Sequence, residues 1–123
     1  MFQMVNKKLL LTDEALEMVA ARFRALADPT RLRLLNLLME GERTVGELAE
    51  AAELEQPVAS RQLAVLRRDG IVARRAEGNR GYYRINDATV VQLCEVVCGG
   101  LADKLSDDLE ALPASDAWRG MNI

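Results

Sequence analysis

Two cysteines four residues apart, Cys94 and Cys98, are the residues best suited to carry chemistry. On a helix this spacing puts both sulfur atoms on one face, one turn apart, in an apolar stripe with Val90, Val97 and Leu101. Between two copies of the chain, up to four thiols would come together, which suits a soft ion such as arsenite, Cd²⁺ or Cu(I). Thiol oxidation or persulfide chemistry is an equal alternative, and a disulfide would then cross between subunits, because an intrahelical bond strains the helix.

A third interpretation of the cysteine pair is packing alone. Cysteine is among the most buried residue types and behaves as a small hydrophobe. We expect no required cofactor, and if the cysteines do sense a signal, a thiophilic metal or metalloid held by Cys94 and Cys98 and thiol oxidation are equal candidates. A small-molecule inducer, or none, remains the alternative.

A second group of polar residues could recognise double-stranded DNA. They lie on a helix predicted over residues 55–69, which follows a shorter helix after a three- or four-residue turn, as in a helix-turn-helix. A Gln side chain can form two hydrogen bonds with adenine and an Arg side chain two with guanine, while Ser can form a hydrogen bond with a base or a phosphate. The candidate residues on this helix are Gln56, Ser60, Arg61, Gln62 and Arg67, and Thr44 at the start of the shorter helix completes the set.

Positive charge is concentrated next to these residues. Residues 58–84 contain seven arginines and two acids, a balance of +5 that leaves −8 for the rest of a chain whose net charge is −3. Phosphates respond to the local field within a Debye length of about 8–10 Å, so an acidic protein can still bind DNA. A solvated charged face is the alternative interpretation. In a predicted hairpin, Arg74, Arg75 and Arg80 flank a glycine-rich tip and would add affinity along the DNA backbone.

Several function classes are excluded or disfavoured. The chain has no histidine, no glycine-rich phosphate loop and no acids placed beside a nucleophile, so we expect no enzyme. It has no long apolar run, so we expect no signal peptide, no membrane contact and a cytoplasmic location, where the cysteines stay reduced. A winged helix that binds protein rather than DNA is a less favoured alternative.

The elements that must position these residues follow from caps and periodicity. Thr12 starts the first helix, which ends before Pro29, and Thr44 with Glu47 forms a capping-box pattern. The prediction is a mainly α fold with a small β-hairpin, in the order α-α-α-α-β-β-α. The later elements are helices over residues 30–39, 44–52 and 55–69, a strand that begins at 71–73, a glycine-rich turn over 77–81, a strand over 82–85, and a final helix over about 87–112.

The domain organisation predicted from these elements is simple. Residues 1–11 form an N-terminal extension, residues 12–112 form one domain, and residues 113–123 form a flexible tail. A domain of this size buries a modest core, so pairing with a second copy is expected.

Four stretches of the sequence resemble the ArsR/SmtB family of bacterial repressors: residues 23–35 (FRALADPTRLRLL), 55–66 (EQPVASRQLAVL), 70–72 (GIV) and 77–85 (EGNRGYYRI). The resemblance covers most of residues 16–105. It implies a winged helix-turn-helix homodimer joined through its first and last helices. Such a dimer would bind an inverted-repeat operator and leave it when an inducer binds.

The sequence departs from that family in two places, and both limit which residues could bind a metal inducer. Many metal-sensing members carry a cysteine pair on the helix before the recognition helix, where this chain has RTVGEL over residues 43–48. Others use histidines and carboxylates on the last helix, and Asp87 and Asp103 without a histidine do not make such a site. Cys94 and Cys98 therefore remain the candidate metal ligands.

Overall fold

The computed structural model describes residues 11–108 of the chain, where five helices surround a small antiparallel sheet. The predicted extension over residues 1–11, apart from Leu11, the last residues of the predicted final helix and the predicted tail over 113–123 lie outside the described residues. The elements are α1 (Asp13–Leu26), α2 (Pro29–Leu38), β1 (Arg43–Thr44), α3 (Val45–Ala52), α4 (Gln56–Arg68), β2 (Val72–Glu77), β3 (Arg80–Ile85) and α5 (Ala88–Asp108).

The helices begin where side chains satisfy the free amides of the first turn. The Thr12 hydroxyl accepts a hydrogen bond from the Ala15 amide at 3.1 Å, and Asp28 accepts one from the Arg31 amide at 3.0 Å. At α3 the Glu47 amide donates to Thr44 Oγ1 at 3.1 Å, and the Thr44 amide donates to Glu47 Oε1 at 2.9 Å. This confirms the predicted capping box.

The hydrophobic core lies between α2, α3, α4 and the base of the sheet. On α5, Val90 is 3% exposed and belongs to this core, and Leu93 and Cys94 pack against it. The core therefore fixes α3 and α4 relative to the sheet and holds the first part of α5. Its fully buried large side chains are Leu34, Leu35, Leu48, Leu63, Leu66, Ile71 and Val72.

The sheet has three strands in the order β1-β3-β2, one more than predicted. Strand β1 pairs Arg43 with Tyr83 and Thr44 with Tyr82. A strand of two residues has no periodicity, so the sequence pattern could not reveal it. The β2–β3 hairpin, called the wing below, is longer than predicted because only Gly78 and Asn79 separate its strands.

Glu53 ends α3 in the left-handed region, with φ 58° and ψ 47°. A β-carbon is unfavourable in this conformation. We expect Glu53→Gly to raise the free energy of unfolding by about 0.5–1 kcal/mol, in urea titrations at one fixed protein concentration. Ala51→Gly, two residues earlier and helical, is the control and should lower it by about 0.5–1 kcal/mol. A loss of stability in both variants would contradict the expectation.

Candidate nucleic-acid interface

Helices α3 and α4 form the helix-turn-helix, joined by the turn Glu53–Glu55. The turn is held by a hydrogen bond from the Leu54 amide to the Ala49 carbonyl at 2.8 Å. Thr44 and Gln56 meet where the two helices begin: Thr44 Oγ1 and Gln56 Oε1 each lie 3.9 Å from the position of a β-carbon on Gly46. Two predicted site residues on different elements therefore share one surface.

One face of α4 is open to solvent and polar. Ala59, Leu63 and Leu66 are fully buried on the opposite face, and Gln56, Ser60, Arg61 and Arg67 are exposed, as predicted. In the described part of the chain, Arg61 and Arg67 make no side-chain hydrogen bond or ion pair. Their guanidinium groups are therefore available to an external acceptor. Arg68 is also exposed and was not among the predicted site residues.

Gln62 lies apart from that face. It is half-buried, and its Oε1 accepts a hydrogen bond from Arg31 Nη1 at 2.9 Å. Arg31 also donates from Nε to the Ala25 carbonyl at 2.6 Å and from Nη2 to the Arg24 carbonyl at 3.1 Å. Through Arg31 on α2, Gln62 of α4 is therefore connected to the end of α1. Its spacing from Ala59 and Leu66, three and four residues away, would have indicated this inward position.

On the wing, Arg75 and Arg80 differ in their surroundings. Arg75 donates to Glu42 from Nε at 2.9 Å and 3.1 Å and from Nη2 at 2.9 Å, and to Glu77 from Nη1 at 3.0 Å. Its guanidinium lies 4.6 Å from the ring centre of Tyr82. The hydrogen bond from Arg75 lowers the pKa of the Glu42 carboxyl, and the bonds to Glu42 and Glu77 raise the pKa of Arg75. Arg80 is exposed and has no such partner among residues 11–108.

Cys94 and Cys98 are half-buried and line the same apolar cavity of about 280 Å³ between α1, α2 and α5. Burial raises the pKa of the Cys94 thiol, and the neighbouring Cys98 and Glu95 act in the same direction. The described residues contain no cluster of three or more His, Cys, Asp or Glu side chains that could hold a metal ion. One chain thus offers two thiols to a metal, with no third His, Cys, Asp or Glu beside them among the described residues.

The apolar stripe on α5 changes from buried to exposed along its length. Val90 is 3% exposed, while Val97 is 57% and Leu101 is 37% exposed. On α1, Leu16 and Phe23 are also about half exposed. These two helices present an apolar surface that the rest of residues 11–108 does not cover. No helix among residues 11–108 has an apolar segment long enough to span a membrane.

Comparisons with known proteins agree with this architecture. Residues 28–74 match the family model described as bacterial regulatory protein, arsR family. An HTH-type transcriptional regulator of Mycobacterium tuberculosis, Rv0081, is 44% identical over 91 residues, which are 73% of this chain and 80% of that protein. A probable mercury resistance operon repressor of Streptomyces lividans is 45% identical over 71 residues, 58% of this chain and 57% of that protein.

Solved structures show the same similarity. The solution structure of the homodimeric winged helix-turn-helix DNA-binding domain of Mb0332 from Mycobacterium bovis superposes with a TM-score of 0.73 at 36% identity. The match covers 79% of this chain and 93% of that domain. The predicted winged helix-turn-helix architecture is therefore confirmed.

Proposed function

The chain belongs to the ArsR family of bacterial regulatory proteins, and from this premise we propose that it represses transcription as a homodimer on an inverted-repeat operator. The family consists of DNA-binding regulators rather than enzymes, in agreement with the prediction of no catalytic site. We place its action in the cytoplasm, with the chromosome. The observation that carries the proposal is the solvent-exposed side of α4, where Gln56, Arg61 and Arg67 are exposed and the two arginines have no side-chain partner among residues 11–108.

The proposed roles follow the chemistry of the side chains. Gln56 and Arg61 would contact base edges in the major groove, and Arg67 and Arg80 would contact phosphates. Thr44 and Ser60 would donate hydrogen bonds from their hydroxyl groups to phosphates of the DNA backbone. The Thr44 oxygen already accepts a hydrogen bond from the Glu47 amide, and its hydroxyl proton remains available to donate. We leave Gln62 and Arg75 out of the proposed DNA contacts, because Gln62 already accepts a hydrogen bond from Arg31 and Arg75 is already paired with Glu42.

The proposed homodimer uses the apolar surface of α1 and α5. The homodimeric Mb0332 domain supports a homodimer, and the stripe on α5 that becomes exposed beyond Val90 supports α5 as part of its interface. We propose residues 12–112 as the functional domain and residues 87–112 as its dimerisation helix.

Two single arginine replacements test DNA recognition. We expect Arg61→Ala to weaken operator binding by about ten- to a hundred-fold, because one bidentate base contact contributes about 1–3 kcal/mol of discrimination. Arg80→Ala should weaken operator and non-operator duplexes alike and reduce the salt dependence of binding by about one charge per protomer. The measurement is fluorescence anisotropy with DNA from upstream of the protein's own gene and with a scrambled duplex, over a series of salt concentrations.

Gln92→Glu is the matched control for charge. Gln92 is exposed on α5, away from the apolar stripe, and its replacement lowers the net charge by one as each arginine replacement does, so DNA binding should be unchanged. If the wild-type protein shows no salt-dependent affinity for any duplex, DNA binding is refuted.

For the inducer we propose a soft metal or metalloid ion held by Cys94 and Cys98. The cavity between α1, α2 and α5 supports this, since it brings both thiols to one space beside the proposed dimer surface. The raised pKa of Cys94 favours a metal over oxidation, because a protonated thiol reacts slowly with oxidants but still loses its proton to a soft ion. The mercury resistance operon repressor of Streptomyces lividans supports the same class of inducer.

Replacing both cysteines by serine tests this proposal. Wild-type protein is expected to leave the operator on addition of arsenite, Cd²⁺, Cu(I) or Hg²⁺, and Cys94→Ser/Cys98→Ser should need at least about tenfold more ion, because the hydroxyl is a poor ligand for soft metals. Anisotropy of the operator complex measures release, and affinity without ions is the control. If the variant releases as readily as wild type, the cysteines only pack, and a small-molecule inducer becomes the better hypothesis. Release by peroxide or persulfide alone would assign a redox switch instead.

A further inference from the structure

Arg75 is the centre of an ion-pair cluster that spans two distant parts of the sequence. Glu42 comes from the turn before β1, 33 residues before Arg75, and Glu77 lies two residues after it on β2. Tyr82, the cross-strand partner of Arg75, lies under the guanidinium at 4.6 Å. Below, these four residues are called the Arg75 cluster.

Glu42 occupies the edge of the guanidinium that a phosphate would use. Both carboxylate oxygens accept from Nε, and Oε1 also accepts from Nη2, at distances of 2.9–3.1 Å. This is the side-on, bidentate arrangement in which arginine also binds phosphate oxygens. A phosphate could take the same edge only by displacing Glu42.

The net positive charge on this side of the wing is consequently lower than the count over residues 58–84 indicates. The basic segment 58–84 contains Arg75 and Glu77 but not Glu42, which the fold brings in from outside it. Two carboxylates thus face one guanidinium. Arg84 adds a weaker attraction that also lowers the pKa of Glu42.

We propose that Glu42 is a specificity-determining residue: it neutralises Arg75, so that this arginine orders the wing and adds nothing to sequence-independent DNA binding. The proposal rests on the DNA-binding function proposed above. Specificity is the ratio of operator to non-operator affinity, and each exposed cation near the DNA raises the non-operator affinity. Keeping Arg75 neutralised leaves phosphate binding to Arg67, Arg80 and other exposed arginines such as Arg74.

The first test needs no DNA, so it remains decisive even if the protein binds none. In side-chain ¹³C NMR titrations the Glu42 carboxyl should titrate below its ordinary value in the wild-type protein. In Arg75→Gln it should move back toward that value, because the positively charged guanidinium donor is replaced by a neutral amide. A Glu42 titration unchanged by Arg75→Gln would overturn the proposed pairing.

The second test measures DNA binding over a series of salt concentrations. Glu42→Gln should expose Arg75, raise affinity for a scrambled duplex by about three- to tenfold and steepen the salt dependence by about one charge per protomer. Glu42→Gln/Arg75→Gln removes both charges without changing the net charge, and should match wild type in affinity and salt dependence. Arg80→Ala is the reference for loss of a phosphate contact, and thermal melts of each variant confirm folding.

Two results would overturn the proposal. If the double variant loses as much salt dependence as Arg80→Ala, Arg75 contacts phosphate in the wild-type protein. If Glu42→Gln binds the scrambled duplex as wild type does, Glu42 does not restrain Arg75. A wild-type protein that binds no DNA refutes the proposed function, while the NMR result still decides whether Glu42 and Arg75 are paired.

Discussion

Replacing Val97 by glutamate is expected to convert the proposed homodimer to monomers and to lower operator affinity by more than about a hundredfold, because the two half-sites would then be bound independently. Val97 is 57% exposed in one chain but lies on the same stripe of α5 as the buried Val90. In a dimer, each glutamate would be buried without a partner, which costs several kcal/mol per charge. Light scattering coupled to size-exclusion chromatography measures the assembly, and anisotropy measures operator binding.

Gln92→Glu is the matched control for this charge. Gln92 is exposed on the same helix, five residues earlier and away from the stripe, and its replacement adds the same negative charge. We expect it to remain dimeric and to bind the operator as wild type does. A Val97→Glu protein that stays dimeric would show that α5 pairs through another face, or that the dimer does not use α5.

Replacing Arg31 by alanine is expected to lower the free energy of unfolding by about 2–3 kcal/mol, because hydrogen bonds to a charged group contribute about 1.5–3 kcal/mol and their acceptors would be left incompletely satisfied. The guanidinium joins the Arg24 and Ala25 carbonyls at the end of α1 to the Gln62 amide on α4. A cation at a helix C-terminus also interacts favourably with the helix dipole. Urea titration at a fixed protein concentration measures the loss.

Two further variants separate hydrogen-bond geometry from charge. Arg31→Lys keeps the charge but cannot reach three acceptors with one planar fork, so it should lose most of the same free energy. Arg67→Ala removes an exposed arginine without a partner among the described residues and should change stability by less than about 0.5 kcal/mol. If Arg31→Ala is as stable as Arg67→Ala, the Arg31 hydrogen bonds contribute no net stability.

The parts of the fold that local chemistry determines could be predicted from the sequence. Thr12, Pro29 and the Thr44–Glu47 capping box mark helix starts correctly, because a cap depends on residues within one turn of each other. The helical spacing of apolar residues on α4 predicts Leu63 and Leu66 as core residues in the same way. The same spacing predicts solvent exposure for the proposed site residues Gln56, Ser60, Arg61 and Arg67.

Contacts between distant residues could not be predicted. Arg31 and Gln62 are 31 residues apart, and Glu42 and Arg75 are 33 residues apart. No local spacing indicates which carboxylate an arginine meets once the chain has folded, so the sequence did not show that Arg75 would be paired with Glu42. The charge of the wing was therefore overestimated from residues 58–84 alone.

Thr44 belongs to two parts of the protein, the wing and the helix-turn-helix. It pairs with Tyr82 of the wing and is also the N-cap of α3 in the helix-turn-helix. Within residues 11–108, one residue thus joins these two parts directly. On an inverted repeat, the two recognition helices of the proposed dimer must match half-sites about 34 Å apart. An inducer bound on α5 is therefore expected to act by changing the distance or tilt between the two protomers, so that they no longer fit adjacent turns of the double helix together.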